Sequence, residues 1–380
     1  MRTSRRGAVD PFIVMDVVEA AQAAEAAGRH IVHMEIGQPG TGAPRAALDR
    51  LAEDMRESPL GYSGSLGLPE LRARIARHYG EWYDLDLDPS RVIVTAGASG
   101  AFVLAFSALF DTGARVGLGE PCYPSYRQIL SALGMEPVAF PTSLDARFQP
   151  VPSDLDGLDL DGLIVASPAN PSGTALGRQE LSDLSETCDA RGVSLISDEI
   201  YHGLGYSGRS VSALEVTDEV VVINSFSKYF AMTGWRVGWM VVPEALARTI
   251  ERLAQNLFIC APHAGQRLAL HAMDCTGELE EMKAVYARNR ELLLEGLPKA
   301  GLPAIAPPDG AFYVYADVSE VTDDSRELAR RLLDEAGVAV APGADFDRGR
   351  GDRWLRFSYS AATSDIEEGL VRIARFMGRA

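Results

Sequence analysis

Val220-Val-Val-Ile-Asn-Ser-Phe-Ser-Lys228 opens as an unbroken apolar run and ends on a lysine. The run does not alternate with polar residues, so it suits a strand covered on both faces, as in a parallel sheet under helices. A second apolar run, Gly238–Val242, follows the segment Tyr229-Phe-Ala-Met-Thr-Gly-Trp-Arg-Val. Upstream, similar short runs lie at Val92–Ala96, Arg115–Leu118, Pro137–Phe140, Leu163–Ala166 and Ser194–Ser197. Amphipathic stretches of helical length separate most of them: Pro69–Trp82, Ala101–Phe110, Tyr123–Leu133 and Arg178–Arg191. Strands spaced by helices predict an α/β fold with a mostly parallel, seven-stranded sheet flanked by helices.

Beyond Val242 the pattern changes. Helices are expected over Ala245–Leu257 and His263–Leu297, then strands at Ala311–Asp317, Val338–Ala341 and Trp354–Tyr359 with helices at Ser325–Ala336 and Ser364–Met377. That predicts a second, small α+β domain. The expected division is 45–285 for the large domain, with 1–44 and 286–380 forming the small one. At the other end, Asp10–Gly28 predicts a helix capped by Asp10, with Pro11 at its first position and Gly28 as its stop. A Gly- and Pro-rich loop, Gly37–Pro44, and a helix over Ala46–Glu57 follow.

Composition narrows the function. The 380 residues carry 53 acids against 36 bases, a formal net charge of -17, which argues against a nucleic-acid partner. Cys122, Cys188, Cys260 and Cys275 are scattered, with no zinc-like spacing, so no metal site is expected and the thiols read as reduced. A cytoplasmic setting follows. Arg2, Arg5 and Arg6 precede no apolar segment, and no stretch is long and apolar enough for a membrane helix, so neither a signal peptide nor a membrane span is expected.

Only Lys228, Lys283 and Lys299 are lysines. Lys283 lies in a charged helical run and Lys299 in a Pro–Gly turn, where solvent explains them. Lys228 emerges at a strand's carboxyl end, where open α/β sheets place ligands. Apolar surroundings strip its hydration and favour the neutral, nucleophilic amine. Three further strand ends carry chemistry. Asp198-Glu-Ile-Tyr201 puts an acid there; Asp is also a good helix cap, which is the plainer account. Ser167-Pro-Ala-Asn-Pro-Ser-Gly173 puts Asn170 in what could be a simple turn. Thr95-Ala-Gly-Ala-Ser-Gly100 runs into a helix, where exposed amides and the helix dipole favour an anion, or where an ordinary glycine turn would do. Together they set a lysine, a carboxylate, an amide and a phosphate cradle along one sheet edge.

The order Asn170-Pro-Ser-Gly, Asp198-Glu-Ile-Tyr, Ser225-Phe-Ser-Lys and Gly234-Trp-Arg-Val-Gly resembles the fold-type I pyridoxal phosphate enzymes, specifically class I/II aminotransferases of the aspartate aminotransferase superfamily. The likeness runs from about Ile36 to Phe357. It implies pyridoxal 5'-phosphate as cofactor, with Lys228 as the Schiff-base and proton-transfer residue. Asp198 would pair with the protonated ring nitrogen, keeping the ring an electron sink. Tyr201 and Asn170 would bond the phenolic oxygen, and Tyr123 would stack on the ring. Gly97, Ala98, Ser99, Ser225, Ser227 and Arg236 would hold the phosphate. Tyr62 would reach the phosphate of a neighbouring subunit, implying a homodimer with shared sites. Gly37 and Arg356 would meet the substrate carboxylate, which every α-amino acid and 2-oxo acid carries.

Two departures concern specificity. The Gly37–Pro44 loop is richer in glycine than is usual in the family, and Ser99 stands where some aspartate-specific relatives carry a lysine. No replacement cation is evident, which points to neutral or apolar amino acids. The expected activity is ping-pong transfer of an amino group between an α-amino acid and a 2-oxo acid. A β-lyase of the C–S lyase type is the nearest alternative. A non-catalytic, pyridoxal phosphate-binding regulator is the other, disfavoured by the acidic chain and the lack of length for a DNA-binding domain.

Overall fold

Two sheets organise the chain in a computed structural model that describes residues 2–379. The strands are β1 (Val32–Met34), β2 (Val92–Thr95), β3 (Arg115–Glu120), β4 (Glu136–Pro141), β5 (Gly162–Ala166), β6 (Ser194–Asp198), β7 (Val220–Ser225) and β8 (Gly238–Val241). They continue with β9 (Ile305–Ala306), β10 (Tyr313–Asp317), β11 (Val338–Pro342) and β12 (Trp354–Ser358). The large sheet has seven strands in the order β2-β8-β7-β6-β5-β3-β4. All its pairings are parallel except those of β8, which runs antiparallel to both β2 and β7.

The unbroken apolar runs now have a physical reason. Val220 and Val222 of β7 face one core, together with Leu163, Leu195 and Trp239. Val221 and Ile223 face the other, with Ile93, Ile164, Ile196 and Met240. Each such side chain is worth about 1.5–3 kcal/mol when fully removed from water, so both faces must be apolar. The helix Gly97–Leu109 packs over the second face through Phe102 and Phe106.

The small sheet runs β1-β11-β12-β10-β9. Its outer strand β1 pairs in parallel with β11, Val32 opposite Val338. The chain's beginning is therefore stitched to its end. Two expectations need correcting. The helix expected over 263–297 is two helices, His263–Ala272 and Thr276–Lys299. At the break, the carbonyl of Met273 accepts from Arg74 Nη2 at 2.9 Å, and the Asp274 carboxylate accepts from Arg74 Nε at 3.1 Å. A side chain from a distant helix thus satisfies the Met273 carbonyl, which a continuous helix would bond internally. The first long helix spans Ile13–Ala26, and Asp10 does not cap it. The buried carboxylate of Asp345 does, accepting from the amides of Ile13 at 3.3 Å and Val14 at 3.1 Å.

Candidate active site

The carboxyl ends of β5, β6 and β7 and the start of the helix Gly97–Leu109 open onto a cavity of about 230 Å³. Its opposite wall comes from Phe12, Val14, Met15, Ile36, Gly37, Tyr313 and Arg356. Lys228 lies three residues beyond β7. Its Nζ donates to the Gly37 carbonyl at 2.6 Å and sits 5.6 Å from the Tyr201 ring and 5.8 Å from that of Phe312. Burial pulls its pKa down to about 8, with the nearby Arg356 cation acting in the same direction and Asp198 opposing. Near neutrality the amine is thus easily deprotonated.

Asp198 closes β6 with its side chain buried at the cavity floor. One carboxylate oxygen accepts from the Ile200 amide at 3.1 Å, and the other accepts from the Tyr126 hydroxyl. Burial still pushes its pKa up to about 6. The adjacent Glu199 serves a different purpose: it accepts from the Ala213 amide at 2.7 Å and the Ser212 hydroxyl at 2.9 Å, pinning the loop behind the site.

Arg356, on β12, is almost fully buried between the rings of Tyr313 at 4.3 Å and Phe346 at 4.7 Å. Nη1 donates to Asn170 Oδ1 at 2.8 Å, and Nη2 donates to the Glu35 carbonyl. Its Nε has no partner among the described residues. The guanidinium is oriented in advance and keeps donor capacity for an incoming carboxylate. Asn170 gives its oxygen to Arg356, and its Nδ2 donor makes no hydrogen bond among the described residues, so the expected contact with the coenzyme's phenolic oxygen does not compete with Arg356. The Tyr201 hydroxyl bonds that of Tyr313 at 2.8 Å. A side chain at Gly37 would collide with the Tyr313 hydroxyl, so only glycine allows this approach.

At the other end of the cavity, Arg236 lies over the amino end of the helix Gly97–Leu109. Gly97 adopts φ +71°, and a Cβ there would lie 2.5 Å from Arg236 Nη2. Ser225 Oγ donates to Ser227 Oγ at 2.8 Å beside it. A guanidinium facing the positive end of a helix dipole repels it unless an anion lies between. Hydroxyls, helix amides and a cation around one point suit a phosphate. A buried carboxylate at the far side suits a cationic ring nitrogen, and the depressed lysine between them suits an aldehyde. These donors fit pyridoxal phosphate end to end.

Gly37, Ala98, Ser99, Tyr123, Asn170, Asp198, Tyr201, Ser225, Ser227, Lys228, Arg236 and Arg356 all line this one cavity. Gly97 stands behind Arg236. Tyr62 lies outside the cavity with 83% of its surface exposed. Sequence reasoning missed Tyr126, Tyr313 and the wall formed by Phe12, Val14 and Met15. Tyr126 sits three residues after Tyr123, at the start of the helix Ser125–Leu133, and that nearness is the signal that could have found it.

The profile of the family described as aminotransferase class I and II matches residues 29–373. The valine–pyruvate aminotransferase of Mycobacterium tuberculosis is 46% identical, over 99% of this chain and 98% of its own. The aspartate aminotransferase of Thermotoga maritima is 31% identical, over 96% of each. Among solved structures, an aminotransferase from Mycobacterium tuberculosis superposes with a TM-score of 0.97 at 46% identity, covering all of both chains. The aspartate aminotransferase of Thermus thermophilus with maleate superposes at 0.93 and 31% identity, over 99% of this chain and 100% of that one.

Proposed function

This chain belongs to the class I and II aminotransferases, and on that premise we propose how its residues divide the work and which amino acid it takes. It is a pyridoxal phosphate-dependent enzyme that moves an amino group between an amino acid and a keto acid. When bound, the coenzyme would supply an aldehyde carbon to take the amino group and an electron-withdrawing ring to spread the charge left at Cα.

The chain's own residues do the rest. Arg356 binds the substrate carboxylate through its guanidinium, and Asn170 fixes the guanidinium plane. Lys228 Nζ, neutral in its active form, takes the Cα proton and returns it on the coenzyme side. Asp198 stabilises positive charge at the ring nitrogen, and Tyr126 holds that carboxylate in line. Tyr123 packs against the ring face, while Tyr201 and the Asn170 Nδ2 hydrogen-bond the phenolic oxygen. Ser99, Ser225, Ser227, Arg236 and the Gly97–Ala98 amides hold the phosphate. Two half-reactions share these groups, which makes the order ping-pong. The exposed Tyr62, beside the Gly61 carbonyl that bonds His263 Nδ1 at 2.5 Å, reaches the phosphate of a second copy in a homodimer. The chain divides into 45–285, and 1–44 with 286–380. None of its described helices is long and apolar enough to cross a membrane, and its described cysteines are free, which supports a cytoplasmic setting.

The amino donor is a neutral, branched apolar amino acid, with pyruvate as acceptor. One observation carries this. Among the described residues, the cations lining the cavity are Lys228, Arg236 and Arg356, each already engaged, while Phe12, Val14, Met15 and Ile129 present apolar surface. A second substrate carboxylate would meet no charge there. The Mycobacterium relative's named substrate pair agrees with this reading. The test is a panel of amino donors against pyruvate and 2-oxoglutarate. Valine-type donors are expected to give the highest kcat/KM with pyruvate, and a preference for aspartate or glutamate overturns the substrate assignment.

A further inference from the structure

The apolar wall of the cavity does not belong to the sheet that holds Lys228. Phe12, Val14 and Met15 come from the first turn of the helix Ile13–Ala26, whose start is held by contacts from both halves of the molecule. The carboxylate of Asp345, buried to 3% exposure, accepts from the amides of Ile13 and Val14 at 3.3 and 3.1 Å. The helix has no cap from its own sequence, because its N-cap residue is Phe12. Asp345 is in turn fixed from the large-sheet side: its carbonyl accepts from Arg127 Nη2 at 2.8 Å, and Arg127 Nη1 pairs with Glu120 at 3.0 Å. Just ahead of the helix, the Asp10 amide donates to Gln128 Oε1 at 3.1 Å, and the Asp10 carboxylate pairs with Arg348.

Arg127 and Gln128 lie on the helix Ser125–Leu133, which also carries Tyr126 and Ile129 into the cavity. The segment Gly343–Asp345 follows β11 directly. Asp345 therefore stands where three elements meet: the wall helix, the small sheet and the coenzyme-side helix. No hydrogen bond joins it to Arg356, although that cation lies near enough to act against the rise in pKa that burial gives Asp345.

We infer that Asp345 is a specificity-positioning residue: by capping the wall helix from outside, it sets the depth of the pocket that reads a branched apolar side chain. The inference rests on the proposed substrate reading. A longer side chain needs Phe12, Val14 and Met15 at contact distance, whereas alanine's single methyl does not reach them. Without the cap, two helix amides lose their acceptor and the first turn frays, so the wall recedes while Lys228, Asp198 and Arg356 stay in place.

Steady-state kinetics of the holoenzyme with valine and alanine as donors tests this. Wild type should favour valine over alanine by about ten-fold or more in kcat/KM. Asp345→Ala should raise the KM for valine by about ten-fold, leaving its kcat and both constants for alanine within about two-fold. Coenzyme dissociation should be unchanged. Asp345→Asn, which keeps one acceptor oxygen but turns an NH2 donor on the other helix amide, should recover part of the valine KM. Equal KM increases for both donors, or no increase for valine, overturn the inference while leaving the substrate assignment standing. A wild type that does not favour valine overturns the assignment and the inference with it. Should Asp345→Ala not fold, Met15→Ala serves instead, since Met15 is 47% exposed at the cavity mouth. Loss of the valine-over-alanine preference supports the inference, and an unchanged ratio overturns it.

Discussion

The coenzyme half and the substrate half of the cavity are built on opposite plans. Around Lys228, Asp198 and Gly97, each group sits at or just past the end of a strand in one sheet, and the intervening turns are short. Around Arg356 most partners come from far along the chain, the Glu35 carbonyl, the Asn170 amide and the ring of Tyr313, with the ring of Phe346 nearer by. One half is fixed by local strand ends, the other by tertiary assembly. The coenzyme half should thus be robust to changes that disturb substrate selection, and the reverse should not hold.

The largest test of that contrast is Lys228→Ala. Removing the one lysine that lines the cavity among the described residues should lower turnover by roughly 10⁴-fold, with the fold intact by circular dichroism and the absorbance band of lysine-bound coenzyme absent. Substantial residual transamination would break the assignment of the coenzyme half. Next comes Arg356→Lys. Lysine cannot present a planar fork, so the KM for amino donors should rise roughly 10- to 100-fold. Coenzyme affinity, read by titration of the apo-enzyme, should barely move. A parallel loss of coenzyme affinity would erase the distinction between the halves.

The smallest effect lies in the support of the substrate half. His33, on β1, bonds Glu35 Oε1 at 2.8 Å and Glu25 Oε1 at 3.1 Å, linking that strand to the wall helix. The Glu35 hydrogen bond chiefly raises its pKa from 6.5 to about 9, against the opposing cost of burial. A pKa raised on folding stabilises the protein fully below the unfolded value and ceases to do so above the folded one. The difference in urea midpoint between wild type and His33→Gln should be complete below pH 6.5 and vanish above about pH 9. Solvent access to His33 keeps it small. A difference that grows as pH rises would reverse the sign and refute the pairing.

What the sequence discloses follows the same division. Lys228, Asp198 and the Thr95–Gly100 turn are legible because a strand end is a local event: an apolar run stops, and the next polar side chain faces the crevice. Arg356 is legible only through resemblance, since nothing beside it in sequence hints at Asn170 or Glu35. The cap of the first helix was misjudged for that reason. Asp10 has the right chemistry at the right spacing, but Asp345 supplies the acceptor from more than 330 residues away. Local propensity cannot see a competitor that arrives through tertiary packing. The break at Met273–Cys275 was hidden likewise, because Arg74 answers its exposed groups from another helix.

The pairing of β1 with β11 also orders events in time. Ribosomes deliver the chain from its amino end, so Val32 leaves the tunnel long before its partner Val338 exists. All seven strands of the large sheet are synthesised while β1 still lacks a neighbour. The pocket's coenzyme-facing half can thus take shape on a nascent chain that has not yet acquired Arg356 or the cap for its first helix. The carboxylate-binding Arg356 and the cap of the wall helix are the last parts of the site to be synthesised.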